Sequence, residues 1–223
     1  MKGKFNKPCI ATKLLVTNKN TKNKIELFTV DSKPYGKTYG EWTVNWWQWA
    51  LSIPSSINPV VDKTGLCASV NQPVADVWFL AGKFGTEDKY LPERKCTVPF
   101  SRAILFPIIN CEANPLEYPQ LKTKLDIIDH VLKDEDNIVR KECYVNGEQV
   151  TIERIQSDPP VFPITINEDN ALGLEGGGST MAAADGYWVF LKPLPKGEYI
   201  VNFAGSCENG RLNSGAIYHL KIA

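Results

Sequence analysis

The sequence predicts a mainly β fold, an antiparallel β-sandwich of jelly-roll type with two helices packed on it. Three observations carry that prediction. Strand-length apolar runs recur along the chain between clusters of Gly, Pro and Asn, the punctuation of short strands joined by turns. Asn146-Gly147 sits between two alternating segments, the strongest short-range hairpin signal. Only two segments break this pattern with the features of helices.

Taken in order, residues 10–17 and 24–30 read as two weak strands around the polar tract Asn18 to Asn23. A turn-rich stretch containing Pro34-Tyr35-Gly36 leads into GEWTVNWWQWALSIP, which has no internal Gly or Pro before Pro54 and reads as a helix over about Glu41 to Ile53. From Pro54 to Pro73 the prolines and Gly65 preclude long regular structure. Strands follow at Ala75–Ala81, Lys95–Val98 and Arg102–Cys111. The last is nearly all apolar and so central in a sheet, with Pro107 at a bulge. Leu121, Leu125, Ile128 and Leu132 fall at helical spacing, predicting an amphipathic surface helix over 119–136. The hairpin then pairs Ile138–Val145 with Glu148–Ile155. The last third reads as strands at Val161–Ile166, Tyr187–Lys192, Glu198–Gly205 and Gly215–Ile222. The loop Asn167 to Gly186 separates the first two, and the turn Pro193 to Gly197 pairs the next two antiparallel.

Composition excludes several classes. The chain has 223 residues, 43% hydrophobic and 22% charged, which rules out disorder for most of it. No apolar run approaches the ~20 residues of a membrane-spanning helix. The formal charge is zero, yet residues 1–24 carry seven Lys and no acid, leaving 18 basic against 25 acidic residues. The start therefore reads as a basic arm (residues 1–37) that could touch an anionic surface, on an acidic single domain (residues 38–223) that lacks the basic face nucleic-acid binding needs. The longest early apolar stretch, Leu14-Leu15-Val16, is short of the ~7–15 residues of a secretory h-region, so the chain as written is expected in the cytoplasm. Its six Cys form no C-x-x-C pair, and two His make a zinc site of usual spacing improbable. Cys67 and Cys96 could form a disulfide in an oxidising compartment and remain thiols in a reducing one.

The tryptophan helix concentrates polar groups in an apolar setting. Trp42, Trp46, Trp49, Ala50 and Ile53 fall on one face, and Val44, Trp47 and Leu51 on a second. Between them runs a line of Glu41, Asn45, Gln48 and Ser52. On the structural reading, Glu41 favours the helix N-terminus and Asn45 and Gln48 tie down the following loop. On the functional reading, Asn45 and Gln48 floor a pocket beside Trp47 for a small polar, glycan-like ligand or a partner protein. Asn110, Glu112 and Asn114 share a face at a strand end, and Asp185-Gly186 opens a strand; Glu112 and Asp185 join Glu41, Asn45, Trp47 and Gln48 as expected ligand-binding residues. Asn167-Glu168-Asp169-Asn170 offers hard oxygen ligands of the kind calcium takes, without an EF-hand pattern; no other cofactor is expected. The Gly-rich stretch 173–180 is no phosphate loop, lacking the Lys-Ser/Thr ending. There is no G-x-S-x-G elbow. His130 reads as part of a solvated helix face, and His219 could point inward.

Gly40 to Pro54 with Asn58-Pro59, together with Asp185 to Gly197, resemble a family of bacterial and archaeal proteins with no assigned activity. Val77–Gly82 and Arg102–Asn110 add to the likeness. The resemblance implies a compact domain beginning near residue 38. It also implies an extracellular or cell-envelope setting, because members often carry a signal peptide, from which the Lys-rich start departs. The sequence thus leads to a non-catalytic sandwich binding a polar ligand or a protein. Two alternatives stand beside it: a hydrolase using carboxylates from Glu41, Glu112 and Asp185 under a mobile 167–186 loop, and a structural envelope subunit.

Overall fold

The computed structural model describes residues 24–72, 76–86, 88–208, 210 and 212–223; the strand expected at 10–17 lies outside them. The described residues form eleven strands and two α-helices: β1 Val77–Phe79, β2 Lys83–Thr86, β3 Glu93–Val98, β4 Ala103–Ala113, β5 Ile138–Val145, β6 Glu148–Gln149, β7 Glu153–Arg154, β8 Phe162–Ile166, β9 Gly178–Leu191, β10 Gly197–Cys207 and β11 Asn213–Ile222, with α1 Tyr39–Ser52 and α2 Lys124–Asp136. One sheet runs β1-β4-β9-β7 with β8 also on β9; the other runs β2-β11-β10-β5-β6 with β3 also on β11. Most pairs are antiparallel, as expected of a β-sandwich, while β1 runs parallel to β4 and β3 parallel to β11.

Alternation along the strands divides the core. Ile104, Phe106, Val189 and Leu191 of the first sheet meet Val201, Phe203, Tyr218 and Leu220 of the second. The opposite face of the first sheet (Leu105, Ala184, Trp188, Phe190) packs under Trp42, Trp46, Trp49 and Leu51 of α1. The first sheet is therefore buried on both faces, which is why β4 reads as a continuous apolar run.

Local chemistry explains the helix ends. Thr38 and Glu41 form a reciprocal capping box at the start of α1: Thr38 Oγ1 accepts from Glu41 N at 3.1 Å, and Thr38 N donates to Glu41 Oε2 at 2.6 Å. At the other end Asn58 Nδ2 donates to the carbonyls of Ala50 and Ile53, at 2.7 and 3.0 Å, ahead of Pro59. Thr123 and Asp126 repeat the box on α2.

Several expectations need correction. The buried stripe of α2 is Ile127, Val131 and Glu135, whereas Leu125 is exposed, because the helix is rotated so that a carboxylate ends its apolar line. Residues 178–186 are strand, pairing with β8 and β4, so the connection after β8 spans only 167–177. The turn at 193–197 carries the chain from one sheet to the other instead of pairing its flanks. Of the expected hairpin, β5 and β6 pair across Asn146-Gly147, both at positive φ (51° and 79°), but the continuation departs to β9 as β7. Residues 26–28 lie along the end of β9, with Phe28 N donating to Phe190 O and Lys192 N to Glu26 O. Cys67, Cys96, Cys111, Cys143 and Cys207 are free thiols.

Candidate functional site

The polar stripe of α1 is spent mainly on main-chain partners, and among the described residues none of its four lines the cleft beside Trp47 or the hollow beside His219. Glu41 serves the cap, Gln48 Nε2 donates to Pro163 O of β8 at 2.9 Å, and Ser52 Oγ donates back to Trp49 O at 3.0 Å. Asn45 alone keeps a buried amide nitrogen without a partner. The helix turns this side to the first sheet's β8, whose carbonyls the stripe helps satisfy. The informative residue lies beside it. The indole N–H groups of Trp42, Trp46 and Trp49 bond main-chain carbonyls of Pro34, Leu80 and Val70, but that of Trp47 has no partner.

Trp47 opens on a cleft of about 440 Å³, within the usual range for small-molecule sites. A bulge in β4 builds it. The register against β9 shifts between Pro107 and Ile109, so alternation inverts there: Leu105 faces α1, whereas Ile109 packs on Ile138 and Cys207. The inversion turns Asn110 and Glu112 toward the α1 side, paired with Gly186 and Ala184 of β9. Pairing of β1 with β4 ends at Leu105, and the cleft wraps past that point to take residues from both faces of β4. Its lining is Asn110, Cys111 and Glu112 of β4, Glu117 and Tyr118 from the turn beyond, and Asp134, Glu135 and Asn137 from the end of α2. Phe84, Leu172 and Leu212 add apolar surface.

The electrostatics are unusual. Glu112 is held by Asn114 Nδ2, which donates to its Oε1 at 3.0 Å, and burial still pushes its carboxyl up to about 8. Glu135 is 1% exposed, and burial likewise pushes it up to about 8. Burial also raises Glu117, with Asp134 adding to the effect. The Tyr118 phenol is pushed up to about 12 by burial and Glu117, and the Cys111 thiol lies well above its usual range for want of solvation and because of Glu135. Asn110 Nδ2, Glu117 Oε2 and Glu135 Oε1 have no hydrogen-bond partner, nor has Trp47 Nε1. Such orphans each cost about 1–3 kcal/mol and are rare in native proteins without a reason.

Of the sequence-predicted residues, the structure brings Trp47 and Glu112 together here and leaves the others elsewhere. Glu41 is at the helix cap. Asp185 lies on the opposite face of β9, bound to Arg154, so Glu41, Glu112 and Asp185 do not converge. The oxygens of Asn167, Asp169 and Asn170 bond loop backbone around Ser56, Asp169 and Leu174; among the described residues no group of three or more His, Cys, Asp or Glu is placed to hold a metal. His219 points outward near Glu93, beside a shallow hollow of about 660 Å³ on the second sheet whose polar groups reach water. His130 packs its ring against Tyr118. Sequence reasoning missed Glu117, Tyr118, Asp134 and Glu135. The signal for Glu135 was present in the 127/131/135 spacing, one carboxylate ending an apolar stripe. Comparison of the chain with protein-family models, curated proteins and solved structures returns no match.

Proposed function

We propose that the protein is a binding module whose cleft takes a small polar ring ligand of the glycan class. One observation carries this: four buried hydrogen-bonding atoms without partners, on Trp47, Asn110, Glu117 and Glu135, belong to residues lining a single cleft. Two are donors and two are carboxyl oxygens, the mixture that ring hydroxyls complement, while Phe84, Tyr118 and Leu172 supply apolar contact for a ring face. The cost of leaving those atoms unpaired is recovered when a ligand supplies their partners.

The test is a glycan-array and thermal-shift screen of the wild type against Trp47→Phe and Asn110→Ala. The reading expects a saccharide that raises the melting temperature of the wild type and does so at least tenfold less potently for either variant. A ligand whose binding both substitutions leave untouched places the site elsewhere.

A further inference from the structure

The lining of the cleft is one-sided in charge. Glu112, Glu117, Asp134 and Glu135 all contribute, and among the described residues none lining it is Lys, Arg or His. The neighbouring cations are committed elsewhere. Arg154 bonds Asp185 and Asp136, and Lys141 sits over the Tyr187 ring, 4.1 Å from its centre; both act on Glu135 to lower it, but burial outweighs them. Around Glu112 stand Asn114 and Glu117; around Glu117 stand Tyr118 and Asp134. His130, outside the lining, has its Nε2 3.5 Å from Asp134 Oδ2 and its ring against Tyr118. Buried without a counter-charge inside the cleft, these carboxyls favour their neutral, protonated form, and a neutral ligand that expelled the remaining water would hold them there. A cation reverses the sign of the effect.

We propose that the ligand carries a positively charged primary amine, an amino sugar being the form that meets both the carboxyl and the apolar parts of the cleft. This rests on the glycan-class reading above. The unpartnered oxygen of Glu135 and indole N–H of Trp47, both on residues more than nine-tenths buried, would then receive an ammonium donor and a ring oxygen. Burial favours the protonated form of Glu112 and Glu135 at neutral pH, so an incoming ammonium displaces about one proton to the solvent.

The experiment is calorimetric titration of the full chain at about pH 5.5, where the sugar amines are already charged and take up no proton on binding, in two buffers of different protonation enthalpy. The probes are tri-glucosamine, its fully N-acetylated counterpart, and spermidine. Tri-glucosamine is expected to bind at least tenfold more tightly than the acetylated trimer and to release about one proton. In Glu112→Gln/Glu135→Gln that release is expected to vanish and the preference to fall below about threefold. Should the double variant fail to fold, the wild-type proton count decides alone. Equal binding of both trimers without proton release overturns the amine while leaving the ring-ligand reading in place. Spermidine binding as tightly as tri-glucosamine keeps the cation and overturns the ring. Binding of neither trimer overturns both.

Discussion

Arg154 directs two of its nitrogens at one oxygen of Asp185: Nε and Nη2 lie 2.9 and 2.7 Å from Oδ2. The third nitrogen, Nη1, reaches Asp136 Oδ1 at 2.6 Å, and Asp185 Oδ1 accepts from the Gly186 amide at 2.8 Å. The carboxylate is wholly buried, and its partner guanidinium joins β7, β9 and the end of α2. This fixes the wall of α2 that carries Asp134 and Glu135 into the cleft. Asp185 is thus a structural anion, satisfied on both oxygens.

Arg154→Met should therefore be severely destabilising, because it strands a buried charge. Urea denaturation at neutral pH is expected to show a loss of about 3–5 kcal/mol. Asp185→Asn, which leaves a third-exposed Arg154 still paired with Asp136, should lose less. Equal losses would mean that packing, and not the stranded charge, sets the cost.

The raised carboxyls make a pH prediction. Glu112 and Glu135 move from an ordinary value of 4.5 to about 8 on folding. Between those values the folded state binds more protons than the unfolded chain, so stability falls as pH rises through this window and the contribution of these groups is most favourable below it. Glu135→Gln should flatten the fall and, at pH 8, stabilise the protein by on the order of a few kcal/mol. Chemical denaturation at a series of pH values reads both effects; a variant as pH-sensitive as the wild type would show that Glu135 is ionised and solvated in the native state.

The elements were legible where a local rule decides them. Asn146-Gly147 needs only its two positive φ angles, and the apolar run of β4 needs only a sheet covered on both faces. What the sequence could not show was which sheet each strand joins. Pro193 to Gly197 has the composition of a hairpin turn yet crosses between sheets, and residues 178–186, rich in Gly and Ala, look like loop because their neighbours α1 and β4 leave room for little else. The cleft was half legible. Trp47 and Glu112 stood out by chemistry, but Glu41 and Gln48 look functional on a helical wheel and are consumed, Glu41 by the cap it shares with Thr38 three residues before it and Gln48 by Pro163 O, a partner remote in sequence. The bulge at Pro107 was expected; that it re-aims Asn110 and Glu112 depends on pairing no single segment encodes.

Adjacent indoles on α1 separate packing from binding. Trp46 fills the core and donates to Leu80 O at 2.9 Å, so Trp46→Phe loses volume and strands a buried carbonyl, an expected cost of about 2–4 kcal/mol. Trp47 is as buried but has no bond to lose, so Trp47→Phe should cost only about 1–2 kcal/mol. Thermal or urea melts of the two variants side by side test the contrast, and a Trp47 variant as unstable as the Trp46 one would assign its N–H a structural partner.

Gly186 tests the cleft from its other side. It pairs with Asn110 in mid-strand, and a Cβ there would come within 2.5 Å of Asn110 Cβ and 2.9 Å of both Asn110 Cα and Trp188 Nε1. Neither neighbour is the free end of a flexible chain: one contact is backbone, and Trp188 is locked in the core at 1% exposure. Gly186→Ala must therefore push Asn110, together with the strand that carries it, toward the cavity. Overpacking of this kind costs about 1–3 kcal/mol, and the displaced amide should occupy space the ligand needs. The expected outcome is a folded protein with a modestly lowered melting temperature and at least tenfold weaker saccharide binding. A variant that melts lower yet binds undiminished would separate Asn110 from the ligand and move the site toward Glu117 and the α2 wall.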